Sequence, residues 1–583
     1  MGNKPIYIDI HCHPSMKPFY SSKNHSEKKN IWEHIPENEV CKRIHKSKKK
    51  NKRKNKKNKV VEMIRYSQMN LDSCLETGLR VLFISLYPIE RGWFNERGIV
   101  DMVTSDKKIA RMAACMSGIN LEIVTEIQKV IDKNKKEINY FDEMLREYHY
   151  LNSDQAKSSE TGKQFIIAKS YDEIKAVLDN PEDKRLVLIV SIEGGHSLCK
   201  FDNFNDLKYT PFKKVDSIVY PEYKKYKDIY FNHIDVLKGV KDYSIKEDGE
   251  QQLIRFEHTP LYITFAHHFW NLLCGHSDSF GFGPDLALNQ GYQKGEGFTK
   301  LGKAVLHKLL QKSDKERRIL IDIKHLSIKS RGEFYEIWEK EYNAKGDGFP
   351  IISSHAALNG RINHLPLIHN DDDDGENPYK SFFNLSEINM FDEDIAMIHK
   401  SSGLFGLILN ETRLPGLESR DFLKYNKNKI KDIEKRFRKN KITKIEKDKQ
   451  IGVLRNENKQ EYLKCITANI FHIARVINEK NAWDIISIGS DFDGMIDALD
   501  SYTTAKDFPV MAKDLIDFIN NSNGIEEVGL SAADMDKLKF GYTTKEIIDK
   551  IMSGNALDFL RKYFNDKFLK SETVPHSGEV IAK

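Results

Sequence analysis

Histidines and acidic residues of this chain stand where short apolar runs end. The first run leads into His11-Cys12-His13, and the third leads into Glu193. His-x-His in an extended segment places both imidazoles on one side, because side chains alternate with a period of two residues. Imidazole nitrogens and carboxylate oxygens are ligands of zinc and similar divalent ions, so the pattern predicts a metal centre. Other runs lead into further candidates: His267, His325, His355 and Asp491.

Eight short, β-branched runs must position these residues. Their near-continuous apolar character is typical of parallel strands buried on both faces. Segments with helical periodicity lie between most of them, for example 301–310, 331–342, 392–399 and 461–477. The alternation predicts an α/β fold, a (β/α)8 TIM-type barrel, in which the C-terminal ends of the strands meet at one mouth. The predicted strands are 5–10, 81–87, 186–192, 261–266, 319–323, 350–353, 403–409 and 485–489.

Long charged blocks interrupt this alternation. Low-complexity charge cannot bury enough apolar surface to offset its ordering entropy, so we expect each block to be a surface insertion of one barrel spanning 1–583. The blocks are a basic stretch at 20–60, a polar stretch at 200–257, an acidic loop at 366–382 and a charged helical segment at 415–458.

The net charge of +6 comes from the first of these insertions. Between Lys42 and Lys59 there are 12 Lys and Arg residues and no acidic residue. No aromatic residue is interleaved with them, so a solvated insertion is favoured over a nucleic-acid site. No apolar run approaches the ~20 residues of a membrane span. The 7 scattered cysteines and the lack of a secretory signal predict reduced thiols and a cytoplasmic location.

Several of these strand ends form recognisable motifs in a characteristic order. They are Ile-Glu-Gly-Gly-His-Ser at 192–197, Ile-Asp-Ile-Lys-His-Leu-Ser at 321–327, Ile-Ser-Ser-His at 352–355 and Ile-Gly-Ser-Asp-Phe-Asp-Gly at 488–494. Through them the chain resembles the membrane (renal-type) dipeptidases, the M19 metallopeptidase family of the amidohydrolase superfamily. The motifs are specific as a set, and they cover most of the chain outside the insertions.

The resemblance implies a dipeptidase that holds two zinc ions. It places His11 and His13 on the first ion and Glu193 as the bridge, with His325 and His355 on the second ion. It also implies that His267 binds and polarises the substrate, and that Asp491 is the acid/base carboxylate. The neighbouring His196 and His268 are predicted to support or pack, and Asp9 and Asp493 to hold turns or orient histidines.

Two positions depart from the family. The family usually has His-x-Asp on the first strand, whereas this chain has His11-Cys12-His13. The lost carboxylate leaves the first metal site more positive, which bears on substrate range more than on metal binding. The family's carboxylate-binding arginine is matched only by Arg361, which follows His355 at a spacing that fits poorly.

The predicted reaction is hydrolysis of a small peptide. Two metal ions lower the pKa of a bridging water toward about 7, which supplies hydroxide for attack on the peptide carbonyl. Two other readings remain open. One is another hydrolase of the superfamily, a phosphoesterase or deaminase; the other is a non-catalytic barrel that binds partners or RNA through its basic insertion. Family members often dimerise, so the resemblance also suggests a homodimer.

Overall fold

The computed structural model describes residues 5–22, 29–37, 66–95, 110–111, 114, 121–132, 137–157, 159–202, 222–247, 250–279, 290–362 and 382–571. Its centre is a ring of eight parallel strands, rich in Val, Ile and Leu and buried on both faces, as continuous apolar runs require. They are β1 (Tyr7–Cys12), β2 (Leu79–Leu86), β3 (Leu186–Glu193), β4 (Tyr262–Thr264), β5 (Leu320–Asp322), β6 (Ile352–Ala356), β7 (Leu404–Leu407) and β8 (Ile486–Ile488).

The eight strands are paired in chain order, from β1 to β8. The ring closes beyond the strand ends, where the Asp491 N–H donates to the His11 carbonyl at 3.0 Å and the His13 N–H donates to the Phe492 carbonyl at 2.9 Å. A short parallel strand, Phe165–Ile167, pairs with β3 outside the ring. The predicted (β/α)8 barrel is confirmed, and each predicted strand overlaps one observed strand.

Helices surround the ring and cover its outer face. Each of the four predicted helices overlaps an observed one, and 331–342 divides into an α-helix and a π-helical turn. The α-helices are Met16–Ser22, Leu71–Thr77, Gly92–Asn95, Leu121–Asp132, Tyr140–Asn152, Asp154–Lys157, Tyr171–Asp179, Tyr223–Leu237, Lys300–Leu310, Ile328–Ile337, Asp392–Lys400, Leu417–Arg438, Lys444–Ile477, Phe508–Asn521, Ala532–Leu538, Thr544–Asp549, Asn555–Tyr563 and Asp566–Leu569.

Shorter elements complete the described structure. The 3₁₀ turns are Gly195–Leu198, Asn343–Lys345, Lys480–Asp484, Ala505–Asp507 and Glu526–Val528, and the π-helical turns are Trp338–Tyr342 and Lys550–Gly554. Three antiparallel pairs lie outside the ring: Ile138–Asn139 with Lys200–Phe201, Tyr243–Glu247 with Glu250–Ile254, and Gly524–Ile525 with Leu530–Ser531. The turn Gly195–Leu198 directly follows β3.

The described parts of the charged blocks are regular. The block at 200–257 contains the helix Tyr223–Leu237 and the hairpin Tyr243–Glu247/Glu250–Ile254. The block at 415–458 is two packed helices, and a capping box between Thr443 and Glu446 starts the second one. Most of 20–60 and nearly all of 366–382 lie outside the described residues, so the predicted division of the chain stays a prediction.

Two further sequence expectations concern thiols and membranes. The cysteines within the described ranges, at positions 12, 74, 199, 274 and 465, are all free and buried. Across the same ranges, no helix combines the length and the apolar character that a bilayer crossing demands. The cytoplasmic location and the homodimer stay predictions.

Candidate metal centre

The end of β1 supplies two imidazoles to the barrel mouth. His11 and His13 are both fully buried, and their Nε2 atoms lie 3.3 Å apart. Glu193, the last residue of β3, faces both of them. Its Oε1 lies 3.4 Å from His11 Nε2, and its Oε2 lies 3.1 Å from His13 Nε2. The three side chains therefore converge on one small volume, as the His-x-His spacing predicts.

Glu193 also faces the imidazoles that follow β4 and β5 and one imidazole near the end of β6. The distance from its Oε1 to Nε2 is 3.4 Å for His267, 3.8 Å for His325 and 3.6 Å for His355. Residues separated by more than 300 positions thus share one carboxylate, because parallel strands bring their C-terminal ends to the same mouth.

Asp491 approaches this cluster from the loop after β8. Its Oδ1 lies 3.9 Å from His11 Nε2 and 3.7 Å from His13 Nε2, and its Oδ2 lies 4.0 Å from His355 Nε2. Asp491 has a φ of +59° and His325 a φ of +66°, a left-handed conformation that non-glycine residues adopt at an energetic cost. Two residues that point into the centre are therefore held in strained backbone.

The tautomers of two imidazoles follow from their hydrogen bonds. His11 Nδ1 lies 3.2 Å from the Ser85 hydroxyl and 3.3 Å from the Tyr262 hydroxyl. The Tyr262 hydroxyl donates to the Ile10 carbonyl at 2.6 Å, so it can only accept from Nδ1–H of His11. The Ser85 hydroxyl can accept from the same N–H, because it can donate its own proton to Ser191, 2.8 Å away, whose hydroxyl donates to the Ile84 carbonyl. The Ser354 hydroxyl donates to Asp322 at 2.6 Å and likewise accepts from Nδ1–H of His355 at 2.8 Å. With Nδ1 protonated, Nε2 of each ring presents a lone pair toward Glu193.

This arrangement fits divalent metal ions. Burial lowers the pKa values of His11, His325 and His355, which favours the neutral imidazoles that metal binding requires. Ligand atoms of four groups lie close enough together to share an ion: His11–His13–Glu193, Glu193–His325–His355, His11–His355–Asp491 and His267–His268–His325. Because Glu193 belongs to the first two groups, its two oxygens can serve a pair of ions. The donor set holds no thiolate, in keeping with zinc or a similar ion.

His267 has a different environment from the other imidazoles. Its Nδ1 donates to Glu90 Oε2 at 2.5 Å, and its Nε2 faces Glu193. Burial favours the neutral ring, but the charges of Glu193 and Glu90 outweigh this effect and raise the pKa of His267 to about 10. His267 is thus a charged hydrogen-bond donor at the edge of the cluster.

Burial also acts on Asp491. Together with the charge of Glu193, it raises the pKa of Asp491 to about 8, although His13 and Lys324 oppose the shift. The exposed fraction of the Asp491 side chain is 11%, against 5% for Glu193, so the mouth reaches solvent beside Asp491.

Arg361 lies apart from these contacts. Its backbone N–H donates to Asn359, and its carbonyl accepts from the Asp392 N–H, each at 2.9 Å, where the helix Asp392–Lys400 begins. The prediction that Arg361 holds a substrate carboxylate therefore stays a prediction.

Three supporting groups escaped the sequence analysis. Glu90 orients His267, Asp322 holds Ser354, and Lys324 lies buried beside His325. The sequence holds a signal for Glu90, since this residue follows the second predicted strand by a few positions. Asp322 and Lys324 lie in the motif at 321–327, of which only His325 was predicted to take part.

The other neighbouring residues support the centre. His196 Nε2 contacts the Pro88 carbonyl at 2.8 Å and so braces the loop that carries Glu90. Asp9 accepts from the backbone N–H groups of His11 and Ser490, at 3.1 Å and 3.0 Å. Asp493 accepts from the Gln68 and Met69 N–H groups at 3.0 Å and from Lys17 Nζ at 2.7 Å.

The fold and this cluster define a class: a (β/α)8 barrel with a candidate two-metal centre at the C-terminal ends of its strands. Comparison with known proteins finds no matching family model and no matching curated sequence. Similar solved structures include the probable dipeptidase PvdM from Pseudomonas aeruginosa, 14% identical, covering 85% of this chain and 88% of that one, with a TM-score of 0.38.

Two more solved structures are similar to the chain. One is a metallo peptidase from Rhodobacter sphaeroides, liganded with a phosphinate mimic of the dipeptide L-Ala-D-Ala. It is 12% identical, the match covers 96% of this chain and 100% of that one, and the TM-score is 0.43. The other is dipeptidase AC, described as a metallo peptidase of family M19. It is 13% identical, the match covers 87% of this chain and 90% of that one, and the TM-score is 0.39. The motifs in the sequence resemble that same family.

Proposed function

We propose that this protein is a metal-dependent hydrolase that cleaves the amide bond of a dipeptide, with two zinc ions bridged by Glu193. The observation that carries the proposal is the position of the Glu193 carboxylate. It lies within 3.1–3.8 Å of the Nε2 atoms of five imidazoles from four strand ends. The ligand groups that support the two ions are His11 with His13, and His325 with His355.

The chain's own residues supply the remaining chemistry. When bound, the metal ions would provide Lewis-acid activation of water and of the scissile carbonyl. His267 can donate a hydrogen bond from Nε2 to the carbonyl oxygen as negative charge develops there, because Glu90 holds its other nitrogen. In its ionised form, Asp491 can take a proton from the attacking water and deliver it to the leaving amine, since its carboxylate faces the same cluster.

The variant Asp491→Asn tests this assignment. We expect it to keep the parent's metal content, measured by mass spectrometry, and to lose about 100-fold or more in kcat on a dipeptide panel. Asp493→Asn is the matched control: it changes the same group two positions away, in a carboxylate that binds Lys17 and backbone N–H groups. It should lower stability and keep turnover. Equal activity of Asp491→Asn and the parent would remove Asp491 from the reaction.

The same preparation separates the alternatives. Zinc-loaded protein is assayed against dipeptides, generic phosphodiesters and aminated heterocycles. Activity on phosphodiesters or deamination alone would overturn the peptidase proposal and keep the metal hydrolase. A purified chain with no stoichiometric metal, whose RNA binding weakens steeply with salt, would overturn both and favour the scaffold.

A further inference from the structure

Lys324 is a buried lysine at the end of β5. Only 1% of its surface is exposed, and its neighbour Asp322 points into the barrel, where it accepts from Thr264 and Ser354. Lys324 lies in the turn that follows β5, directly before the proposed ligand His325. Among the residues that the structure describes, no group forms a hydrogen bond with Lys324 Nζ.

The other two buried lysines of the described structure are both satisfied. Lys17 Nζ donates to Asp493 at 2.7 Å and to the Tyr66 carbonyl at 2.9 Å. Lys238 Nζ donates to the carbonyls of Lys308 and Gln311, at 2.9 Å and 2.5 Å. A buried ammonium without a partner is strongly unfavourable, and it is normally retained only where something else pairs with it. Lys324 differs from both: within the described ranges its Nζ has no hydrogen-bond partner, although the carboxylates of Asp322 and Asp491 are near enough to act on it electrostatically.

The surroundings of Lys324 indicate where that partner binds. The Lys324 ammonium is near enough to His325, His355 and Asp491 to act on each of them electrostatically. Arg413, in the loop after β7, acts in turn on Lys324 and donates to the Ser279 carbonyl. Two basic side chains thus lie beside the metal centre.

We propose that Lys324 forms an anion subsite within this centre and receives the carboxylate of the substrate, with Arg413 adding positive potential. The resemblance gives this role to Arg361, whose backbone contacts place it at the start of a helix. The inference rests on the proposed function for the identity of the substrate. The anion subsite itself rests on the burial of Lys324, its missing partner and its position beside the cluster.

A binding experiment tests the subsite without turnover. The probe is succinate, whose second carboxylate stands for the terminal carboxylate of a dipeptide, and its comparator is succinamate, which carries an amide there. Calorimetry is performed on the zinc-loaded full chain, the parent and the variants Lys324→Met, Lys238→Met and Arg361→Met. Metal content is measured for each, so that a lost ion is not mistaken for a lost anion contact.

We expect the parent to bind succinate about 10-fold or more tightly than succinamate, and Lys324→Met to lose that preference. Lys238→Met and Arg361→Met should keep it. Lys324→Gln, which retains a polar group but no charge, serves if the methionine variant fails to fold. Three results would each overturn the subsite. Both Lys324 variants could bind succinate as the parent does, Arg361→Met could lose the preference instead, or the parent could bind succinate and succinamate equally.

Turnover then distinguishes this inference from the proposed function. If the parent cleaves no dipeptide but binds succinate through Lys324, the anion subsite is supported and the dipeptidase proposal is refuted. If the parent and Lys324→Met hydrolyse a dipeptide and its C-terminal amide with the same ratio of kcat/KM, the dipeptidase stands and the subsite falls.

Discussion

Asp322→Asn should weaken metal binding although Asp322 touches no proposed ion. Asp322 Oδ2 accepts from the hydroxyls of Thr264 and Ser354, both at 2.6 Å, and Oδ1 accepts from the N–H groups of Lys324 and Ser354, both at 3.0 Å. An asparagine keeps one oxygen for the two backbone donors. It then presents an NH₂ group to the two hydroxyls.

The consequence passes to His355 through Ser354. Facing an amide N–H, the Ser354 hydroxyl becomes an acceptor and directs its own proton to Nδ1 of His355, 2.8 Å away. The ring then needs its proton on Nε2, which removes the lone pair that faces Glu193. Supporting hydrogen bonds of this kind are worth about 10- to 100-fold in metal affinity, or about 1.4–2.8 kcal/mol.

The assay is a zinc titration against a fluorescent chelator, with the folded state of each variant checked by circular dichroism. Asp9→Asn is a matched control, because Asp9 is equally buried and accepts from the Ser490 hydroxyl and two backbone N–H groups. The Ser490 hydroxyl accepts a hydrogen bond from the Phe492 N–H and not from an imidazole. Asp322→Asn should lose affinity for one zinc equivalent and Asp9→Asn for neither. Parental affinity in a folded Asp322→Asn protein would refute the tautomer argument.

Two further predictions concern other buried groups. Glu90→Gln replaces the charged acceptor of His267 and should lower kcat by roughly 10- to 100-fold at unchanged zinc content. This magnitude corresponds to the free energy of a hydrogen bond to a charged group, about 1.5–3 kcal/mol. A variant as fast as the parent would show that Glu90 is dispensable. Burial lowers the pKa of His233 to about 4, so the unfolded chain, with an ordinary value near 6.5, binds the proton first as the pH falls. The resulting loss of unfolding free energy between pH 7 and pH 5 is about 2 kcal/mol. Urea unfolding should show a smaller loss in His233→Gln, and the parent's loss in the control His149→Gln, which changes an exposed histidine. Equal pH dependence in all three proteins would contradict the assignment of this loss to His233.

The barrel was predictable because its signals are local. Apolar runs of β-branched residues mark each strand, and the acids and imidazoles that follow them must meet once the strands are parallel. His11, His13, Glu193, His325 and His355 were all found in this way. Strand ends were least accurate at β6, where the predicted run stops at Ser353 and the strand continues to Ala356.

The supporting contacts were not predictable by the same reasoning. Glu90 meets His267 across 177 positions, and Asp322 meets Ser354 across 32, so neither pair has a spacing that a periodic pattern reveals. The charged block at 415–458 contains helical structure, but its packing as two antiparallel helices depends on which faces meet. Lys324 looked like an ordinary polar residue in a motif, since its missing partner is a property of three-dimensional contacts alone.

The cluster also explains why the fold itself calls for cations. The Nδ1 hydrogen bonds of His11 and His355 hold their Nε2 lone pairs toward the oxygens of Glu193, at 3.4 Å and 3.6 Å. Lone pairs facing a carboxylate repel it, and only a proton or a cation between them removes the repulsion. Burial lowers the pKa of both rings and so opposes the proton. The rings cannot turn away without breaking their hydrogen bonds to Tyr262 and Ser354, so these contacts hold both lone pairs where a bound cation would meet them.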